Sequence, residues 1–429
     1  MNKNDSEYIA GILSKELGYK ILWDANPKDV DLVFVNTCFV RGKVKNKVYS
    51  IIGKLDRIKR EKENFIIGVG GCMAQVDKDD ILKEKSSVDF VIGTSNLYKI
   101  GEVVRSIESK HTNRDFIEKE FRDFPEGLPI YRETGVNAWV TIIRGCNNFC
   151  TYCIVPYTRG REISRRPIDI LNEIDEVVSL GYKEVTLLGQ NVNSYGHDLK
   201  GENTNFSKLL RMVAEKYPSL WVNFITSHPK DFSDELIEVI ATHKNITRYI
   251  HLPVQAGSNS VLRRMNRRYT REEYIRLIEK IRRAIPDVSI STDVMVGFPG
   301  ETEEDFQKTL DLFQRVRFDS AFTFIYSDRK GTRAYNFPDK IPEDIKKDRI
   351  KRLILLQNKI TEEVNKTYIG KQLKILIEGK PTKAKETNEF QGRSQNNKIV
   401  IVRGDLRVGD IVNVKITELL GWTFKGELI

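Results

Sequence analysis

From about Arg132 to Gly370 the chain repeats one pattern six times: a short apolar run followed by an amphipathic helical stretch. The runs are Trp139–Ile143, Val185–Leu188, Trp221–Thr226, Tyr249–Val254, Ser289–Val296 and Phe322–Tyr326. Between them lie helical patterns at Ile168–Leu180, Phe206–Tyr217, Asp234–Thr242, Arg271–Ile285 and Glu303–Val316, and a long basic helix, Ile341 to about Tyr368, closes the series. Apolar runs alternating with helices read as parallel strands covered on both faces. Six such units in series imply a closed or partly closed barrel, whose chemistry belongs at the C-terminal ends of its strands.

The flanks differ from this centre. Residues 1–118 hold a helical pattern at Asp5–Leu17, with Ser6 as its expected cap, and a charged helix around Lys43–Lys62. Their apolar runs, Val30–Val35, Phe65–Val69 and Phe90–Ile92, predict an open parallel α/β sheet. Cys38 and Cys72 each sit just past the end of one of these runs, where open α/β sheets bind ligands. The turn Gly68-Val69-Gly70-Gly71 does not complete a dinucleotide fingerprint. A polar connector, Ser109 to Thr134, is punctuated by Pro125, Gly127 and Pro129. Residues 369–429 change period: Leu373, Ile375 and Ile377, then Val412, Val414 and Ile416, alternate with polar residues around Gly-Asp turns. Period-two alternation predicts a small antiparallel β-barrel, a shape that often binds oligonucleotides. The expected fold class is therefore α/β, with domains at 1–118, 132–368 (a partial (β/α)6 barrel) and 369–429.

The net charge of +10 favours polyanionic partners, RNA or DNA. No run approaches the roughly 18 apolar residues of a membrane span, and the polar start Met1-Asn2-Lys3-Asn4-Asp5 lacks a signal peptide's apolar stretch, so no membrane partner and a cytoplasmic location are expected. Five cysteines, three of them within eight residues, suit reduced thiols on a metal better than a disulfide framework.

Those three are Cys146, Cys150 and Cys153, spaced C-x3-C-x2-C directly after the first barrel strand. One short loop can turn all three thiolates onto one metal centre. Zinc wants a fourth ligand, and the nearest downstream histidine, His197, is far along the chain. A four-iron cluster on three cysteines keeps one iron open. S-adenosylmethionine (SAM) suits that iron, because its amino and carboxylate groups can chelate it. One electron from the cluster then breaks a carbon–sulfur bond to give a 5′-deoxyadenosyl radical.

The tracts around this loop resemble the radical SAM methylthiotransferases, and among them the MiaB-type tRNA enzymes. The likeness is carried by Arg144-Gly145-Cys146 through Arg161-Glu162, by Leu188-Gly189-Gln190-Asn191-Val192-Asn193-Ser194-Tyr195-Gly196, and by His251-Leu252-Pro253-Val254-Gln255-Ala256-Gly257-Ser258-Asn259. Met265–Thr270 and Asp293–Thr302 extend it. The resemblance implies replacement of the C2 hydrogen of N6-isopentenyladenosine, beside the tRNA anticodon, by a methylthio group. It implies two [4Fe-4S] clusters, SAM used both as methyl source and as radical source, and a C-terminal TRAM domain that grips tRNA. An electron donor of flavodoxin or ferredoxin type and a monomeric state go with it; the sulfur source is left open.

For individual residues, the resemblance implies that Cys146, Cys150 and Cys153 hold the SAM-cleaving cluster and that Tyr152 lies near the adenine of SAM. Gln190 and Asn191 are candidates for the methionyl end, and His251, Gln255 and Asp293 for orienting a ligand in the barrel mouth. Cys38 and Cys72 correspond to two of the three cysteines of the auxiliary cluster. The family's first cysteine precedes a segment like Met1–Glu7, which leaves two expectations: the strand and thiol lie upstream of an internal start codon, the favoured one, or the chain is shortened and its second cluster lacks a thiolate. Arg159, Arg161, Arg165 and Arg166, and also Arg263, Arg264, Arg267 and Arg268, are candidates for tRNA phosphates; Lys346, Lys347, Arg349, Lys351 and Arg352 read as solvated surface. Rival readings are siblings acting on threonylcarbamoyladenosine in tRNA or on a ribosomal-protein aspartate, and a non-catalytic iron–sulfur RNA-binding protein.

Overall fold

A computed structural model describes all residues except 39–42, 112, 119–124 and 383–387, and the side chains of 43 and 44. Part of the connector expected at Ser109 to Thr134 thus lies outside the described residues. The chain divides into two compact units: residues 1–134, 144–163 and 329–332 form one, and residues 135–143, 164–328 and 333–429 the other.

The first unit is built on four parallel strands, β1 (Leu32–Thr37), β2 (Ile66–Gly71), β3 (Phe90–Ile92) and β4 (Asp115–Phe116), in that order. The expected apolar runs supply three of them. Strand β4 falls in the segment read as connector, because its two residues are too few to show a period. Helices α1 (Asn2–Leu17), α2 (Lys43–Glu61), α3 (Cys72–Glu84) and α4 (Ile100–Glu108) cover the sheet. Alternate strand residues serve opposite faces: Ile67 and Val69 pack with Ile52 and Leu55, while Phe90 and Ile92 pack with Ile9, Ile12 and Val104. The glycines of β2 are packing residues, since a Cβ on Gly68 would lie 2.3 Å from the ring of Phe90, and one on Gly70 2.3 Å from the ring of Phe34. Helix α1 starts earlier than expected, and Ser6 does not cap it: its hydroxyl donates back to the carbonyl of Asn2 at 3.0 Å. The inserted segment carries a short helix, α5 (Val155–Thr158).

The second unit begins with β5 (Asn137–Thr141); two-residue strands β6 (Ile143–Arg144) and β7 (Ile163–Ser164) follow in the chain. Strands β5, β8 (Glu184–Leu188) and β9 (Trp221–Phe224) form one parallel sheet, and β10 (Tyr249–His251), β11 (Ser289–Val296) and β12 (Ser320–Ile325) another. A parallel bridge, Val222 to Ile246, links the first sheet to the segment leading into β10. The expected six-stranded barrel is therefore partial, in two three-stranded halves. Helices α6 (Pro167–Ser179), α7 (Phe206–Lys216), α8 (Asp234–Thr242), α9 (Asn259–Arg264), α10 (Arg271–Ala284), α11 (Glu303–Val316) and α12 (Glu343–Lys366) complete the alternation. Capping boxes at Thr270/Glu273 and Thr302/Asp305 start α10 and α11. The basic helix α12 is not simply solvated: Lys346 and Arg349 are buried, and Arg349 pairs with Glu301 at 2.8 Å.

The C-terminal strands β13 (Gln372–Gly379), β14 (Glu389–Ser394), β15 (Ile399–Arg403), β16 (Ile411–Leu420) and β17 (Thr423–Leu428) close a barrel in the order β13-β14-β15-β17-β16. It is not wholly antiparallel, because β15 and β17 run parallel, with Val400 opposite Phe424. Ile375, Ile377, Val414, Ile416 and Phe424 fill it. Leu376 points the other way and is buried against Val136 and Trp221 of the first sheet. Beside it, Arg393 Nη2 reaches Glu184 Oε2 at 2.5 Å and Glu378 at 3.0 Å, with the Glu184 side chain fully buried. Removing one partner of such a pair strands the other charge. Arg393→Met should cost about 3–5 kcal/mol in equilibrium urea unfolding, and adding Glu184→Gln should recover part of that loss.

Candidate active site

Gly145 opens the cysteine loop with φ 75°. A Cβ there would lie 1.9 Å from the carbonyl oxygen of Arg161, so only glycine allows the two ends of the loop to close. The closure is held by Cys146 N–H donating to Gly160 O at 3.2 Å, and by Asn147 N–H and Asn147 Nδ2 donating to the carboxylate of Glu162 at 3.1 and 3.2 Å. Within the loop, Cys153 N–H donates to Cys150 O at 2.9 Å, and Asn148 Nδ2 lies 3.5 Å from Cys146 Sγ. Phe149 takes a left-handed φ of 48°, its ring covered by the Arg161 guanidinium at 4.7 Å.

Burial, and then the neighbouring Cys150, push Cys146 up to about 11; burial, then Cys150, push Cys153 up to about 12. Two thiols raised by burial and raised further by a neighbouring sulfur belong to a donor set that a cation relieves, which fits an iron–sulfur group. Among the described residues no three His, Cys, Asp or Glu side chains are already closed onto one point as a metal-holding group. Tyr152 is half-buried on the same loop.

Cys38 and Cys72 follow β1 and β2 at matching positions, because Thr37 is in register with Gly71. Gly71, at φ 92°, makes the approach possible: a Cβ on it would lie 2.2 Å from Thr37 O. Cys72 is buried and Cys38 half-buried. Burial, opposed by Asp5, holds the Met1 amine below its ordinary value.

In the second unit, the ends of β8 and β9 collect buried polar atoms that have no hydrogen-bond partner among the described residues. They are Gln190 Oε1, Asn191 Oδ1, Asn193 Nδ2, Ser227 Oγ and His228 Nε2. Asn193 Oδ1 accepts from His228 N–H at 2.8 Å, which ties the two loops together. His228 Nδ1 accepts from Lys230 N–H at 3.2 Å. Burial first, then Arg267, Lys230 and Arg268, lower His228 to about 2, so the ring is neutral and its Nε2 carries the proton. Unpaired acceptors at Gln190 and Asn191 beside unpaired donors at Asn193 and His228 suit a ligand with both an ammonium and a carboxylate. Asn193, Ser227 and His228 were not singled out from the sequence, although they obey the same rule of polar residues just past a strand that singled out Gln190 and Asn191.

His251 and Asp293 come together on the other sheet, Nε2 to Oδ1 at 3.5 Å, with Ser291 Oγ 2.8 Å from His251 Nδ1 and the ring of Phe322 edge-on. Gln255 joins them through its backbone, accepting from Met295 N–H and donating to Asp293 O, both at 2.8 Å, in a left-handed φ of 70°. Of the arginines expected at phosphates, three are consumed internally. Arg159 pairs with Asp5 at 2.6 Å, Arg165 with Glu173 at 2.5 Å, and Arg267 donates to Pro253 O at 2.9 Å. Arg161, Arg166, Arg263 and Arg268 remain exposed.

Family models match the chain in three stretches: the uncharacterized protein family UPF0004 at residues 1–93, the radical SAM superfamily at 140–313 and the TRAM domain at 366–429. Loop, partial barrel and C-terminal barrel together define a radical SAM enzyme with an appended TRAM domain. Over its whole length the chain is 50% identical to the tRNA-2-methylthio-N(6)-dimethylallyladenosine synthase of Carboxydothermus hydrogenoformans, covering 97% of that protein. It is 48% identical to the protein of the same name from Thermoanaerobacter pseudethanolicus, covering 90% of it. The chain belongs to the family of tRNA-2-methylthio-N(6)-dimethylallyladenosine synthases. Among solved structures, the radical SAM methyltransferase TsrM of Kitasatospora setae shares the fold, with a TM-score of 0.54 at 15% identity over 71% of this chain and 63% of that one.

Two outcomes follow from this geometry. Gly145→Ala should prevent closure of the cysteine loop, so that anaerobically reconstituted protein loses the iron and absorbance owed to Cys146, Cys150 and Cys153 while far-ultraviolet circular dichroism is unchanged. Below pH 6.5 the unfolded chain protonates His228 and the folded chain does not, so stability falls as pH falls. At pH 5 that loss is about 2 kcal/mol, and His228→Gln should flatten the pH dependence of urea unfolding between pH 7 and 5 by about this amount.

Proposed function

We propose that this protein replaces the C2 hydrogen of N6-isopentenyladenosine, next to the anticodon of tRNA, with a methylthio group. The observation that carries this is the kinship with enzymes of that name over the entire chain. Cys146, Cys150 and Cys153 would hold a [4Fe-4S] cluster, which supplies the one-electron reduction that cleaves the carbon–sulfur bond of SAM. The acceptors of Gln190 and Asn191 suit the ammonium of SAM, and His251, Gln255, Asp293 and Tyr152 are the further candidates for holding it. Cys38 and Cys72 are read as ligands of an auxiliary cluster.

Substrate recognition falls to the exposed arginines and the C-terminal barrel. Trp422, 55% exposed at the turn between β16 and β17, offers a face on which an unstacked base can lie. A tRNA substrate points to a cytoplasmic location, and the one-electron cleavage of SAM calls for a low-potential electron donor of flavodoxin or ferredoxin type. No described helix is long and apolar enough to cross a membrane.

The test is an anaerobic reaction of reconstituted protein with SAM, a strong reductant and tRNA containing isopentenyladenosine, followed by mass spectrometry of the digested nucleosides. The expected product is 2-methylthio-N6-isopentenyladenosine. Release of 5′-deoxyadenosine without that nucleoside would overturn the assignment of substrate.

A further inference from the structure

Thr226, just past β9, takes a left-handed φ of 72°, a strained value for a β-branched residue. Its carbonyl accepts from Val192 N–H at 3.1 Å, and Asn193 Oδ1 accepts from His228 N–H at 2.8 Å, so the loops after β8 and β9 are bonded to each other. These bonds decide which polar atoms are left over. Asn193 spends its oxygen on His228 N–H and keeps Nδ2. His228 spends Nδ1 on Lys230 N–H at 3.2 Å and keeps Nε2–H. Asn191 spends Nδ2 on Asp231 Oδ2 at 2.7 Å and keeps Oδ1. Asn191, Asn193 and His228 are each more than nine-tenths buried, and the kept atoms have no hydrogen-bond partner among the described residues. Each such atom costs about 1–3 kcal/mol unless something meets it.

We propose that His228 and Asn193 bind the carboxylate of SAM, donating from Nε2–H and Nδ2; this rests on the reading of the chain as SAM-dependent. The ammonium then falls to the acceptors of Gln190 and Asn191, and the carboxylate to the two donors, so the orphaned atoms sort by sign. The surrounding charge agrees with that sorting. Arg267, Lys230 and Arg268 act with burial to keep the His228 ring neutral. A positive field that disfavours an imidazolium favours an anion at its N–H. A hydrogen bond to a buried carboxylate is charge-assisted and stronger than one between neutral groups. The ring is also held in place: it stands edge-on to Tyr269, with centroids 5.8 Å apart, and Tyr269 Oη donates to Val254 O at 2.8 Å.

The experiment measures binding rather than turnover. The full chain, reconstituted anaerobically, is brought to equilibrium by dialysis against labelled SAM and against decarboxylated SAM, which lacks only the carboxylate. His228→Asn keeps an acceptor for Lys230 N–H but removes the donor at Nε2. It should weaken SAM roughly 10- to 100-fold and leave decarboxylated SAM unchanged. His228→Gln, whose amide can stand at the Nε2 position, should recover part of the loss. Asn193→Asp keeps the acceptor for His228 N–H and replaces the donor by a charge of the carboxylate's own sign. It should weaken SAM more than it weakens decarboxylated SAM. SAM bound equally well by His228→Asn and by Asn193→Asp would make the orphaned atoms partners of trapped water and overturn the proposal. A loss equal for both ligands, or one that His228→Gln does not recover, would overturn the donor role. If the unaltered chain binds no SAM, the reading of the chain as SAM-dependent fails, and the role of His228 fails with it.

Discussion

Parallel strands buried on both faces have no spare polar groups along their length, because every interior amide and carbonyl is spent on a neighbouring strand. Chemistry enters such a sheet chiefly where the strands stop. Both units follow this constraint. Cys38 and Cys72 stand where β1 and β2 end, and Gln190, Asn191, Ser227 and His228 where β8 and β9 end. The five unpaired buried atoms at the ends of β8 and β9 would be a defect in a structural core. At the ends of parallel strands they are what a polar ligand requires.

Charge burial is the second theme. Arg159, Arg165, Arg267, Arg349 and Arg393 are all withdrawn from water and met by carboxylates, carbonyls or a sulfur. An arginine-rich sequence with a net positive charge invites the reading that its basic clusters face a polyanion. Here much of that charge is internal wiring. Guanidinium suits the task, because its planar fork can satisfy several acceptors at once. The arginines left exposed at the surface are Arg161, Arg166, Arg263 and Arg268, of which Arg166 also pairs with Asp169.

The C-terminal barrel shows how a small domain joins a larger one. Its inner face follows the period-two pattern of Ile375 and Ile377 and of Val414 and Ile416. Leu376 breaks the pattern, and its apolar side chain is accounted for by Val136 and Trp221. Arg393 supplies a directional contact beside that apolar one, with Glu184 at the start of β8 as its partner. An apolar contact and a buried ion pair together fix orientation better than either would alone.

Element types were largely legible in the sequence. Five of the six expected central runs hold strands that shift by only a few residues, and β11 falls on its predicted span, because long amphipathic helices and β-rich runs carry strong periods. The C-x3-C-x2-C spacing was legible for the same reason, and so was the place of Cys38 and of Cys72 just past an apolar run, since each is a local feature of the chain. Short elements such as β4 were not, since two residues show no period. Nor were the split of the central sheet into two halves, the parallel pairing of β15 with β17, or the sorting of arginines into buried and exposed. Each depends on which distant segment arrives beside a residue. Sequence by itself therefore determined where reactive side chains leave their strands; only the tertiary structure decided which of them meet, because pairing across tens of residues is a matter of packing, to which local pattern is blind.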